Sequence, residues 1–183
     1  MIKLKLQNAT EENLKGFGRL VTREGKQGYD VGPYVWYADV AAGDFSNCSF
    51  GVVAAKAIGQ YPIMSFESHN KTEEFWVPTN GDMIVVLGKP GAFAQEDILT
   101  MADLANFQPC TKMDENALNA ENFAAFRVPV GSAILLEKSV WHVTALADQT
   151  AVDVITVARA GTGLDDAFYG MPSMYGIEFQ LEL

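Results

Sequence analysis

The sequence predicts an all-β barrel or sandwich, and three observations predict it. Short apolar-rich stretches recur along the whole chain, turn residues separate them, and only two segments carry a helical pattern. With 183 residues, 49% of them apolar, the chain is long enough to bury a substantial core, and residues 1–183 read as a single domain.

The first stretch, Ile2 to Leu6, alternates Lys3 and Lys5 with apolar residues, the period of a strand with one wet face. Thr10, followed by Glu11, Glu12 and Asn13, places a hydroxyl cap and acidic residues at the start of a helix over Glu11 to Lys15, which stops near Gly16. Strands are predicted at Phe17 to Thr22, Ser49 to Ala54, Ile63 to His69, Glu74 to Val77 and Met83 to Leu87. Gly91 to Glu121 mixes a second helical pattern, Gln95 to Asn106, with Pro109, Asp114 and several Asn, and reads as an insertion with a short helix. Phe123 to Val128, Ala133 to Leu136, Trp141 to Leu146, Val152 to Val157 and Ile177 to Leu181 complete the strands. No repeat or low-complexity tract interrupts them.

Composition excludes several classes of function. The net charge is −10, and residues 61–183 hold six Lys/Arg against seventeen Asp/Glu. Neutralising nucleic-acid phosphates needs clustered cations, so no nucleic-acid partner is expected. Cys48 and Cys110 form no C-x-x-C pair. The N-terminal stretch lacks the continuous apolar run of a signal peptide, and no run has the length of a membrane helix. A reducing cytoplasm and no membrane partner are the expectation.

The segment Phe66-Glu67-Ser68-His69-Asn70-Lys71-Thr72-Glu73-Glu74 concentrates the chemistry. Residues i and i+2 of a strand share a face, so Glu67 and His69 project together. Asn70, Lys71 and Thr72 read as a hairpin turn that resets the register, letting Glu74 on the returning strand meet them. The only other histidine, His142, starts a later strand in Val140-Trp141-His142. Both histidines are expected to face one polar pocket inside the barrel. Trp76, Trp141, Phe75 and Phe66 read as barrel packing.

The two histidine segments resemble the two cupin motifs. His69, Glu74 and Gly81 stand at the spacing of the first motif, with Glu67 in the place of its first histidine. Gly131 and His142 match the second, while Glu137, Ser139 and Leu146 depart from it. The resemblance implies a cupin-type double-stranded β-helix, or jelly-roll barrel, with short peripheral helices. Within cupins the chain is most similar to the ureidoglycolate lyase family, through Glu67-Ser68-His69, Trp76-Val77-Pro78 and Val140-Trp141-His142, and more weakly through Phe17-Gly18 and Arg159. Ser68 stands where that family usually has Arg, Glu74 where it has Gln, and Trp36 where an Arg is expected.

The resemblance implies a lyase that splits ureidoglycolate into glyoxylate and urea, and a homodimer. Glu67, His69, Glu74 and His142 form a ligand set for Ni, Mn, Fe or Zn, two imidazoles and two carboxylates. His69, Glu74 and His142 are the expected proton-transfer groups, and Lys138, Arg159 and Tyr37 the expected contacts to a small-molecule substrate. A cupin that binds a small ligand without turnover, or another metal-dependent cupin isomerase or oxygenase, would use the same residues.

Overall fold

The computed structural model describes residues 1–30, 32–33, 35–37, 42–43, 47–56, 63–109, 114 and 116–183. Its strands begin with β1 (Ile2–Asn8), β2 (Gly18–Val21), β3 (Tyr29–Asp30), β4 (Val35–Trp36) and β5 (Cys48–Ala55). They continue with β6 (Phe66–Ser68), β7 (Glu74–Pro78), β8 (Met83–Gly88) and β9 (Leu99–Thr100), followed by the short helix α1 (Met101–Leu104). Then come β10 (Phe123–Val128), β11 (Ala133–Leu136), β12 (Trp141–His142), β13 (Val152–Arg159), helix α2 (Thr162–Asp165), β14 (Phe168–Gly170) and β15 (Phe179–Glu182).

The pairing is nested. β8 pairs with β10, β7 with β11, β6 with β12 and β5 with β13, all antiparallel. Successive strands of this set alternate between an eight-stranded sheet, β15-β1-β10-β8-β12-β6-β14-β9, and a five-stranded sheet, β2-β11-β7-β13-β5. A folded-over ribbon of this kind is the cupin-type jelly roll. β1 joins β10 in parallel, and β15 joins β1 in parallel.

Both predicted helices shrink, for local reasons. Over residues 10–17 there is a single turn, in which Thr10 and Asn13 cap each other (Thr10 N to Asn13 Oδ1 2.8 Å, Asn13 N to Thr10 Oγ1 3.1 Å). Gly16, at φ +84°, then turns the chain into the left-handed region and ends it. Gln95 to Asn106 divides into a 3₁₀ turn over Gln95–Asp97, β9 and α1. The split falls at Thr100, which pairs with Phe168 of β14 and donates from both its N–H and its hydroxyl to the Asp103 carboxylate, capping α1. The predicted strand Trp141 to Leu146 is regular only over β12, and Leu146 makes a single bridge to Ile84.

Two cores flank the eight-stranded sheet. β8 is buried on both faces. Met83, Val85 and Leu87 enter the barrel interior with Phe126, Val128, Ile134 and Leu136. Ile84 and Val86 face a second core built from Phe66, Phe93, Phe123, Trp141 and Phe179. Trp141 and Phe66 therefore do not fill the barrel as the sequence suggests; they lie on the sheet's other face, because they alternate with His142 and Glu67. Residues from the segment between β8 and β10, and from both chain ends, cover that face. At Gly170 a Cβ would lie 2.6 Å from the Phe93 ring, so only glycine lets that ring rest on β14.

Candidate metal and acid-base centre

Strand alternation and register bring the centre together. Glu67 is opposite His142 on one side and Tyr169 on the other, in one row across β12, β6 and β14. His69, two residues past Glu67, shares its face. Glu74 arrives from the other sheet. The connection from His69 to Glu73 is thus a corner between sheets and not the predicted hairpin. Asp166 holds that corner, its carboxylate accepting from Asn70 N (3.0 Å) and Lys71 N (2.8 Å). Glu74 consequently faces the histidines across the barrel.

The Glu74 carboxylate bridges the two imidazoles, with Oε1 3.4 Å from His69 Nε2 and Oε2 3.4 Å from His142 Nε2. Glu67 Oε1 is 4.0 Å from His69 Nε2. Glu67, His69 and His142 each offer a ligand atom within 4.8 Å of the other two, a group that could hold a metal ion. Both histidines are buried and Glu74 nearly so, whereas Glu67 keeps 32% of its side-chain exposure and marks the side on which the centre opens.

Hydrogen bonds fix the imidazole tautomers. His69 Nδ1 lies 2.9 Å from the Asp166 carbonyl and His142 Nδ1 3.3 Å from the Val140 carbonyl. A carbonyl only accepts, so each Nδ1 carries a hydrogen and each Nε2 is turned toward Glu74. Lone pairs and carboxylate oxygens at 3.4 Å repel unless a proton or cation lies among them. A carbonyl-anchored imidazole is also how proteins orient metal ligands. Two nitrogens and a carboxylate suit a divalent transition metal, so the residues fit such an ion.

The surroundings tune these groups further. Burial pushes the Glu74 carboxyl up, against the opposing effects of His69 and a hydrogen bond from Trp76 Nε1 (3.1 Å). Burial, reinforced by His69, pushes His142 down to about 4, although Glu67 and the Val140 carbonyl act the other way. Trp76 lies edge-on to His142, with ring centroids 5.3 Å apart. The Tyr169 hydroxyl donates to Glu67 Oε1 at 3.1 Å, and burial first, then Glu67, raises it to about 12, so it stays a donor.

Glu67, His69, Glu74 and His142 come together as predicted, but the three expected substrate contacts do not join them. The Arg159 guanidinium is engaged by Asp165 and the Ala160 carbonyl. Tyr37 lines a separate groove with Val21, Val77 and Ala133. Lys138 is exposed on the turn before β12. Sequence reasoning missed Asp166 and Tyr169. The alternation in Phe168-Tyr169-Gly170 is the one signal that Tyr169 offered.

No protein-family model matches the chain, and neither does any curated protein. Among solved structures it is similar to RmlC from Streptococcus suis in complex with dTDP-D-xylose, at TM-score 0.38 and 6% identity over 62% of this chain and 44% of that one. The match thus spans less than half of that protein's length. It is also similar to dTDP-6-deoxy-D-glucose-3,5-epimerase RmlC from Legionella pneumophila Philadelphia 1 in complex with dTDP-4-keto-L-rhamnose, at TM-score 0.41 and 7% identity over 90% and 87% of the two chains. The jelly-roll fold rests on the nested strand pairing itself. Among the described residues, no helix is long and apolar enough to cross a membrane.

Proposed function

We propose that this chain is a cupin enzyme that holds a divalent metal ion between Glu67, His69 and His142 and uses Glu74 to move a proton on a small polar substrate. The observation that carries this reading is the carbonyl anchoring of both histidines at Nδ1, which turns both Nε2 atoms toward one buried carboxylate. When bound, the metal supplies Lewis acidity that lowers the pKa of a substrate hydroxyl. Glu74, on the opposite wall and oriented by Trp76, takes that proton. Tyr169 holds Glu67 in place.

The matches at Glu67-Ser68-His69 and Val140-Trp141-His142 support a carbinolamine substrate, ureidoglycolate. Glu74 removes the hydroxyl proton, the C–O bond becomes the carbonyl of glyoxylate, the C–N bond breaks, and Glu74 returns the proton to the departing nitrogen to give urea. We place the protein in the cytoplasm, and as a homodimer formed through β5. That outermost strand of its sheet carries no charged residue and exposes Phe50 (76%) and Val52 (70%).

The test is release of urea and glyoxylate from ureidoglycolate by protein loaded in turn with Ni, Mn, Fe(II) or Zn. Turnover that falls about 10²- to 10⁴-fold in Glu74→Gln is expected. Metal-loaded protein that never turns ureidoglycolate over would overturn the substrate assignment.

A further inference from the structure

The strands that build the histidine centre also build a second cavity on the opposite face of the same sheet. Ser68 lies between Glu67 and His69 on the chain, Trp141 precedes His142, and Phe168 precedes Tyr169. With Asn70, Gln95 and Ser139 these alternate residues line a cavity of about 300 Å³. It is a separate space, because side chains i and i+1 of a strand leave on opposite faces.

Two of its polar groups lack partners. Ser68 is 2% exposed and Trp141 3% exposed. Both residues line this cavity, and among the described residues no protein group hydrogen-bonds the Ser68 hydroxyl or the Trp141 indole N–H, atoms that are not sealed from the space beside them. Held rigidly by buried residues and unclaimed by the protein, both groups are free to bond a molecule that the cavity accepts. The rest of the wall indicates its chemistry. No charged residue lines the cavity. Ser139 Oγ donates to Asn70 Oδ1 at 2.9 Å, which occupies the acceptor of that amide and leaves its NH₂ to donate. The Trp141 N–H and the Asn70 amide therefore ask for acceptors, and Phe93, Ile98 and Phe168 supply apolar walls.

We propose that this cavity is a second binding site, for a neutral single-ring heterocycle that carries carbonyl oxygens. The volume is at the small end of ligand pockets, which suits one ring and excludes a nucleotide. A charged ligand would be buried without a counter-charge.

Titration calorimetry with uracil as the probe, on the intact protein dialysed against EDTA, tests the site independently of any metal. Uracil is expected to bind, with Ser68→Ala and Trp141→Phe each weakening it about fivefold, the effect of losing one hydrogen bond. Ser68→Leu, which fills the cavity, is expected to abolish binding. On wild-type protein the Trp141 indole N–H resonance should move with uracil, a readout that needs no variant. No uracil binding at millimolar concentration, equal affinity in both conservative variants, or tighter binding of glucose or toluene than of uracil overturns the proposal.

Discussion

His142 Nε2 and Glu74 Oε2 face each other at 3.4 Å from opposite sheets of the barrel, and the hydrogen on the imidazole is on its far side, toward the Val140 carbonyl. Burial favours the neutral form of both groups, which raises the pKa of one and lowers that of the other.

This pair gives the metal-free protein a two-sided pH dependence. His142 titrates at about 4 when folded against an ordinary 6.5, so the unfolded chain binds more protons between those values. Its contribution to stability is complete above pH 6.5 and is lost as pH falls toward 4, by at most about 3 kcal/mol. Glu74 acts with the opposite sign: its folded pKa is raised above 4.5, so its contribution is complete below 4.5 and is lost as pH rises through the folded value. Melting curves across pH 4–8 should show His142→Gln flattening the acid side and Glu74→Gln the neutral side.

Asp166 is predicted to be a positioning residue for His69. Its carboxylate fixes the corner at Asn70 and Lys71, while its carbonyl fixes the imidazole. Asp166→Ala leaves two N–H groups without their acceptor and should cost about 1–3 kcal/mol in urea denaturation. Asp166→Asn, which restores one acceptor, should recover part of that stability. Metal affinity should fall more in the alanine variant than in the asparagine variant.

Tyr169→Phe removes the hydrogen bond that the phenol donates to Glu67, at 3.1 Å, without changing the ring. Metal affinity is expected to drop about 10- to 100-fold, the usual cost of losing a group that orients a ligand, with Tm of the metal-free protein little changed. Competition against a chelator measures it.

Phe50 and Val52 are opposite Val157 and Ile155 on the outer face of the five-stranded sheet. Phe50→Glu should convert a dimer into a soluble monomer in light scattering, with the fold intact, because an exposed aromatic contributes little to the stability of a single chain.

The strands were legible because their alternation is local; the continuous run of β8 was legible as a strand, and its burial on both faces explains why the run does not alternate. The helices were misread because Gly16 and the Thr100–Asp103 cap, each a single local feature, outweighed the helical period. Glu67, His69, Glu74 and His142 were legible through motif spacing, but the route by which Glu74 arrives was not. Whether residues 69–73 make a hairpin or a sheet corner depends on the pairing of β7 with β11 and β13, which no local pattern encodes. Asp166 and Tyr169 meet His69 and Glu67 only through the pairing of β14 with β6, far along the chain. The pairing of Arg159 with Asp165 was not legible, because Asp165 follows on a turn that the sequence does not announce.

The most direct test of the metal-holding centre is an anomalous difference map at the edge of the metal found by elemental analysis, from crystals of the purified protein. The account predicts one strong peak within bonding distance of His69 Nε2, His142 Nε2 and a Glu67 carboxylate oxygen, weakened or lost in His142→Gln. Metal-replete crystals with no peak at these residues would contradict it.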